Sequence, residues 1–336
     1  MGNAGDEALL LSLLQMLPKS VEPIVLSGNP QATQKSYEVS SCDRKSTFAL
    51  LDALRVSDIF IWGGGSLMQD ATSLASPVYY AGLMALAQQR GLKTIAWAQG
   101  IGPLNRSLTR WLTKQVLLGC SGISVRDTAS AELLHRWQID PVVAPDPVWA
   151  LTSEAPPLYP DTDKPIVAVI LRLHRLLTPS RLEVLIRAIQ SFQAQSDAFI
   201  LLVPFQPKQD RDLALRIAAT LEVNYTTVEI FNPKQLKGLF DRVKLTIAMR
   251  LHGLIMAAAS GCNCFALSYD PKVSQLMSEL DLPGYELESL PNDPEIIAQD
   301  WLDSLAGQSI PTAEIQSLID RAGIHQQLLT EVIINH

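Results

Sequence analysis

The stretch Leu245-Thr-Ile-Ala-Met-Arg-Leu-His-Gly-Leu-Ile-Met-Ala-Ala-Ala-Ser-Gly261 decides how the chain is to be read. Its first half is apolar and β-prone, and its second half is Ala-rich and stops at Gly261, which is the pattern of a buried strand feeding straight into a helix. Arg250, Leu251 and His252 therefore fall at the turn. In an open α/β sheet such a turn lies at the carboxyl edge of a strand, where ligands bind and where the free N–H groups of the following helix attract anions. A guanidinium and an imidazole two residues apart over that helix start predict a small cationic cup. Either residue alone could be a surface cap or a satisfied core group. Burying both without an anionic partner would cost several kcal/mol.

The same rhythm spreads outward. Upstream come Ile166–Leu171 ending at Arg172, a helix from about Ser180, Ala198–Val203, a helix after Asp210, and Val228–Phe231. Downstream come Asn263–Leu267, then Ser268-Tyr-Asp-Pro-Lys-Val273, which starts another helix and brings Lys272 to the same sheet edge. Thr312 to Asn335 reads as one closing C-terminal helix. His174 could join the basic residues or lie exposed.

Ahead of this half, Thr152–Asp163 is polar, acidic and rich in proline, so it cannot easily continue a strand or a helix. The expectation is an N-terminal α/β domain over 1–151, a linker over 152–164 and a C-terminal α/β domain over 165–336. The first domain shows Asp58–Trp62, Thr94–Ala98, Gly122–Asp127 and Val142–Ala144 as strands, with Asp127 capping the helix that carries Ala131–Leu134. A βαβα alternation in both halves argues for parallel, doubly wound sheets. The fold class is thus α/β, with two Rossmann-like domains facing a cleft.

The chain opens on Met1-Gly-Asn-Ala-Gly-Asp-Glu7 before an apolar helix closed by Pro18. Asn3 and Asp6 there serve either as caps or as ligand contacts, and a carboxylate in that place favours sugar hydroxyls over phosphate. A glycine-rich opening of this kind ordinarily follows a strand, so the first strand of the sheet is expected to be missing. Gly63-Gly-Gly-Ser-Leu-Met-Gln-Asp70 and Gln99-Gly-Ile-Gly-Pro103 follow strands, and their glycines would let backbone approach a ligand closely.

Composition narrows the function. With 336 residues and a net charge of −7, the chain suits two compact domains and lacks the broad basic face that nucleic acid or an anionic membrane rewards as a general partner. An anion site must then be a local pocket. Cys42, Cys120, Cys262 and Cys264 form no CxxC pair and no metal-ligand spacing with histidine, so reduced thiols in a cytoplasm are expected and no metal. No apolar run approaches the roughly 20 residues of a membrane span. Arg126, Arg172, Arg250, His252 and Lys272 nonetheless all fall at strand ends or helix starts, which points to a small ligand with more than one negative group.

Asn3-Ala-Gly-Asp-Glu7, Gly63–Leu67, Gln99–Pro103, Ser124-Val-Arg-Asp127, Asp146-Pro147, Pro204-Phe-Gln206 with Asp210, Arg250-Leu-His-Gly253 and Tyr269–Val273, in this order over nearly the whole chain, resemble the polysaccharide pyruvyl transferases, and most closely their CsaB type. The resemblance implies a fold like that of the GT-B glycosyltransferases. It also implies transfer of a pyruvyl group from phosphoenolpyruvate to two hydroxyls of a sugar, as a cyclic ketal with release of phosphate and without a cofactor. Carried over by motif, Arg126, Arg250 and His252 would hold and activate the donor, supported by Arg172, Lys272 and Gly253. The acceptor side would draw on Asn3, Asp6, Gly64, Gly65, Asp70 and Gln99, with Asp6 or Asp70 as a proton acceptor. The implied acceptor is a lipid-linked oligosaccharide containing N-acetylmannosamine, a precursor of a cell-wall polymer. That acceptor would place the enzyme in the cytoplasm, with peripheral contact at the inner face of the membrane.

Two other classes compete. A glycosyltransferase using a sugar nucleotide would want a carboxylate on the donor helix for the ribose, and none occurs from Arg250 to Tyr269. A non-catalytic sugar-phosphate binder would keep the pocket without turnover. A dinucleotide oxidoreductase is disfavoured, because an intact G-x-G-x-x-G with its downstream acid is missing.

Overall fold

The computed structural model describes residues 2–71 and 73–334. They divide into two compact units: Ala8–Leu151 with the C-terminal stretch from Ser317, and Gly2–Glu7 with Thr152–Gln316. Residues 2–7 and the stretch from 317 thus each belong with the opposite half from the one their place in the sequence predicts.

In the first unit, β1 (Ile24–Ser27) and β2 (Ser40–Asp43) pair in parallel as a sheet of their own. A four-stranded parallel sheet follows in the order β3 (Ile59–Gly65), β4 (Lys93–Gln99), β5 (Gly122–Val125) and β6 (Val142–Val143). Ala4–Met16 is apolar on nearly all sides and lies on the end of β3. A methyl on Gly63 would lie 2.9 Å from Leu13 Cδ2, and one on Gly64 3.2 Å from Leu9 Cδ2. Gly64 and Gly65 also take φ of 64° and 94°, the left-handed region that glycine occupies without strain. The glycine run therefore admits a packed helix, which accounts for it without a sugar.

The second unit is one six-stranded parallel sheet: β7 (Ile166–Ile170), β8 (Phe199–Leu202), β9 (Tyr225–Thr227), β10 (Val243–Ala248), β11 (Asn263–Ser268) and β12 (Gly284–Glu286), in the spatial order β12-β11-β10-β7-β8-β9. Strand order reverses between β7 and β10. At such a switch point the connecting helices leave to opposite faces and open a crevice at the carboxyl ends. All five residues of β7 are buried, as its unbroken Ile-Val-Ala-Val-Ile requires in a sheet covered on both faces. Phe192 and Phe265 meet Trp301 edge-on in the core.

Several expected elements are corrected. The strand expected at Val228–Phe231 lies at Tyr225–Thr227, where two β-branched threonines continue the register set by Ile200 opposite Tyr225. Three short strands, β1, β2 and β12, carry too little apolar periodicity to be foreseen. The single closing helix is two, Thr312–Ala322 and Ile324–Ile334, parted at Gly323, whose N–H still bonds to Ile319 O and Asp320 O. The second of these packs on β5 and β6. Met1 and Asn335 lie outside the described residues.

Among the described residues no helix is long and apolar enough to cross a membrane, and no group of three or more His, Cys, Asp or Glu side chains is placed to hold a metal ion.

Candidate active site

The switch point of the second unit collects the basic residues. Met249 N–H donates to Ile170 O at 2.9 Å, carrying the β7–β10 pairing up to Arg250. The helix Leu251–Ala259 starts at once, with Arg250 as its N-cap and no side-chain cap bond, so the positive end of its dipole lies at the strand's carboxyl edge. His252 is the second residue of that helix and is half-buried. Gly253 packs closely on the sheet: a methyl there would lie 2.9 Å from Ile170 Cδ1, so glycine lets the helix settle on β7.

Arg250 is 6% exposed and is not a free cation. Its Nη2 donates to both carboxylate oxygens of Asp210, at 2.8 and 2.7 Å, and lies 3.4 Å from Gln206 Oε1. Asp210 also accepts the Gln206 N–H at 2.8 Å, so the pair staples the loop after β8 to the end of β10. The charge expected to face a phosphate is matched inside the protein, because a lone buried guanidinium would cost several kcal/mol. Arg250 Nε is nevertheless buried without a hydrogen-bond partner.

Arg172, two residues past β7, shows the same feature. Its Nη1 donates to Tyr269 OH at 2.8 Å and its guanidinium carbon lies 5.0 Å from that ring's centroid, while its Nε is buried and unbonded. His174 packs on the same tyrosine at 4.7 Å between centroids, so it joins the cluster. Burial, then Arg172 and Arg175, lower its pKa below the usual imidazole value. Lys272 follows Asp270, whose carboxylate accepts the Lys272 N–H at 3.0 Å as the cap of Pro271–Glu279.

The N-terminal loop reaches this cluster. Ala4 N–H donates to Phe205 O at 2.9 Å, and a methyl on Gly5 would lie 2.3 Å from His252 Nδ1. Glycine is thus the side chain that lets the imidazole stand against the loop. Asn3 Oδ1 accepts the Gly5 N–H at 3.1 Å, a local cap, and Asp6 is exposed.

In the first unit the expected site residues mostly turn inward. Arg126, at the end of β5, is paired with the buried Asp146 and lies 3.3 Å from Ser66 Oγ, so its charge too is compensated. Gln99 is fully buried, its Nε2 donating to Trp97 O at 2.9 Å and Trp62 O at 3.4 Å, which removes it from an acceptor surface. Asp70 accepts from Asn105 N–H at 2.7 Å, Arg106 N–H at 2.9 Å and Thr109 Oγ1 at 2.6 Å. Burial pushes its carboxyl up, but those bonds outweigh it and hold the pKa below the usual carboxylate value. A carboxylate so occupied is a poor proton acceptor, and its part is to anchor the start of the helix Ser107–Leu118.

One residue escaped the sequence reading. His325 is fully buried, with Nε2 2.9 Å from Pro145 O and Nδ1 2.9 Å from Ser124 Oγ. A carbonyl only accepts, so Nε2 carries the proton, and Nδ1 accepts from the hydroxyl. Burial holds its pKa down at about 4, so the ring is neutral. Nothing in the local pattern marks it, since its partners are 201 and 180 residues away.

Two Rossmann-like α/β units with basic residues at a switch point define the class: the fold of the GT-B glycosyltransferases and their epimerase relatives. It is shared by the UDP-GlcNAc 2-epimerase of Neisseria meningitidis bound to UDP-GlcNAc (TM-score 0.64, 10% identity, 100% of this chain and 98% of that one). The UDP-GlcNAc 2-epimerase of Methanocaldococcus jannaschii (0.63, 10%, 96% and 95%) and a glycosyltransferase of Rickettsia africae (0.56, 15%, 99% and 94%) share it as well. Identities this low speak for the fold alone. Residues 3–271 match the family model of the polysaccharide pyruvyl transferases, and the chain belongs to that family. It has no match among curated proteins.

Proposed function

We propose that the protein moves the pyruvyl group of phosphoenolpyruvate onto two hydroxyls of a sugar, with N-acetylmannosamine in a lipid-linked cell-wall precursor, the CsaB-type acceptor, as the substrate to try first. One observation carries the donor assignment: Arg172 and Arg250 each keep a buried, unbonded Nε at the switch point, next to the helix start that carries His252. Buried donors left unpaired cost free energy until an acceptor meets them, and a carboxylate or phosphate oxygen would do so with the added strength of charge.

The reaction needs no redox group. One sugar hydroxyl bonds to C2 of phosphoenolpyruvate as a proton is delivered to C3, and the proton that this hydroxyl loses restores the group that gave one up. The second hydroxyl then bonds to C2 as the bond from C2 to the phosphate oxygen breaks, and the proton it sheds leaves with phosphate. His252 is assigned the proton delivery, as the imidazole carried by the helix start next to Arg250. Because Asp210 neutralises Arg250, the positive charge for the donor is assigned first to Arg172, with Lys272 at the same sheet edge and the positive end of the helix Leu251–Ala259 adding to it. Arg250 contributes hydrogen bonds and places the loop after β8. The reading puts the enzyme in the cytoplasm, working on an acceptor held at the inner face of the membrane.

Phosphate release from phosphoenolpyruvate in the presence of an N-acetylmannosamine-containing acceptor tests this directly. Arg172→Ala and His252→Ala should each lower it about a hundredfold while the protein stays folded. Turnover of a UDP-sugar on the same acceptor, with phosphoenolpyruvate inert, would give the site to glycosyl transfer instead, the reading that the UDP-GlcNAc-bound neighbour favours.

A further inference from the structure

The helix Ser107–Leu118 is built inside out. At about 100° per residue, its core-facing side carries Thr109, Thr113, Val116 and Leu117, all buried. The opposite side carries Leu108, Trp111 and Leu118, which are 53%, 58% and 55% exposed, with the exposed Gln115 among them, while Leu112 packs against the core. Two threonines are thus spent on the core while a tryptophan and two leucines face water. The threonines are satisfied within the fold, Thr109 by Asp70 and Thr113 by Thr109 O, so the inversion is held in place and is not a loose end.

Arg106, ahead of the helix, is offset by the Asp70 carboxylate. Arg110 and Lys114, one turn apart, flank the stripe on one side, and no acidic residue occurs from Asn105 to Leu118. In a chain of net charge −7 that is a local exception. An apolar stripe with tryptophan, bordered by basic side chains, matches the boundary between lipid headgroups and acyl chains in an anionic leaflet: the apolar groups enter and the cations meet lipid phosphates. An acidic protein surface would match the charge as well, and a second copy of this acidic chain is therefore an outcome of the test. We propose that this helix docks the protein on an anionic lipid surface, by a contact that does not depend on which reaction the second unit catalyses.

Co-sedimentation of the full chain with vesicles tests it, using phosphatidylcholine alone and phosphatidylcholine with about a third phosphatidylglycerol. Wild-type protein should pellet with the anionic vesicles, lose binding as salt rises, and leave the neutral ones largely in solution. Arg110→Ala with Lys114→Ala should weaken binding about 25-fold, near fivefold per charge. Trp111→Ser with Leu118→Ser should weaken it at least tenfold. These positions are not buried, and an unchanged thermal melt certifies the fold. The proposal is overturned if wild-type protein ignores anionic vesicles, or if both double variants bind as well as wild type. It is equally overturned if sedimentation equilibrium shows a dimer that Trp111→Ser with Leu118→Ser dissociates while vesicles go unbound, for then a second copy is the occupant.

Discussion

Acid should loosen the first unit through His325. The ring is neutral and fully buried, with both nitrogens bonded and its pKa held down at about 4, whereas in the unfolded chain it returns to the ordinary value of about 6.5. Below pH 6.5 the unfolded state therefore binds a proton that the native state refuses. Stability is fully present above 6.5 and is lost as pH falls towards 4. At 1.36 kcal/mol for each pH unit between the two values the limit is roughly 3 kcal/mol, and about 2 kcal/mol of it is lost between pH 7 and pH 4.5. Asp70 and Glu229, with lowered pKa values, begin to lose their contributions as pH falls through their ordinary values of 3.8 and 4.5, so they enter only at the acid end of the window. His174 shifts in the same direction from a half-buried position and needs a control. Urea unfolding at steps between pH 7 and 4.5, on wild type and His325→Gln, provides both: the amide does not titrate, and it can still donate to Pro145 O. The variant should begin less stable and show a flatter pH slope. A slope equal to that of wild type, or an imidazole at 325 titrating near 6.5 by NMR, would refute the argument.

Three further outcomes follow from the geometry. Gly5→Ala puts a methyl 2.3 Å from His252 Nδ1, so ring or loop must shift by about an ångström; phosphate release should drop about a hundredfold with altered ring signals from His252, and unchanged kinetics would show that the loop does not position the imidazole. Asp210→Ala strands the buried guanidinium of Arg250 and should cost about 3–5 kcal/mol, much of it recovered when Arg250→Met is added. A double variant no more stable than Asp210→Ala alone would mean that the pair is not the strut described. Asp70→Ala deprives two backbone N–H groups and Thr109 of their acceptor, and a loss of about 1–3 kcal/mol is expected in urea unfolding; a loss under 0.5 kcal/mol would return Asp70 to the candidate bases.

What could be read without coordinates was local. The apolar run before Arg250 and the Ala-rich run after it state a strand and a helix by periodicity, and Asp127 announces its cap by standing just before a helical stretch, where its carboxylate accepts Ser130 N–H at 2.7 Å. Order and type of these elements imply parallel sheets, and cations at successive strand ends imply a basic edge. Whether those cations are free is decided elsewhere in the chain. Asp210 stands 40 residues from Arg250, and Asp146 stands 20 from Arg126, each brought alongside only when the strands of its sheet align. The same holds for Asp70 against Thr109, 39 residues on, and for His325 against Ser124. The chain alone determined the longer elements and the family, because backbone preference and hydrophobic period act over a few residues, while the short strands β1, β2 and β12 carried too little pattern to be read. Tertiary structure alone decided which charges are compensated, which polar groups are buried and which glycines serve packing, because Coulomb attraction and desolvation act through distance in space.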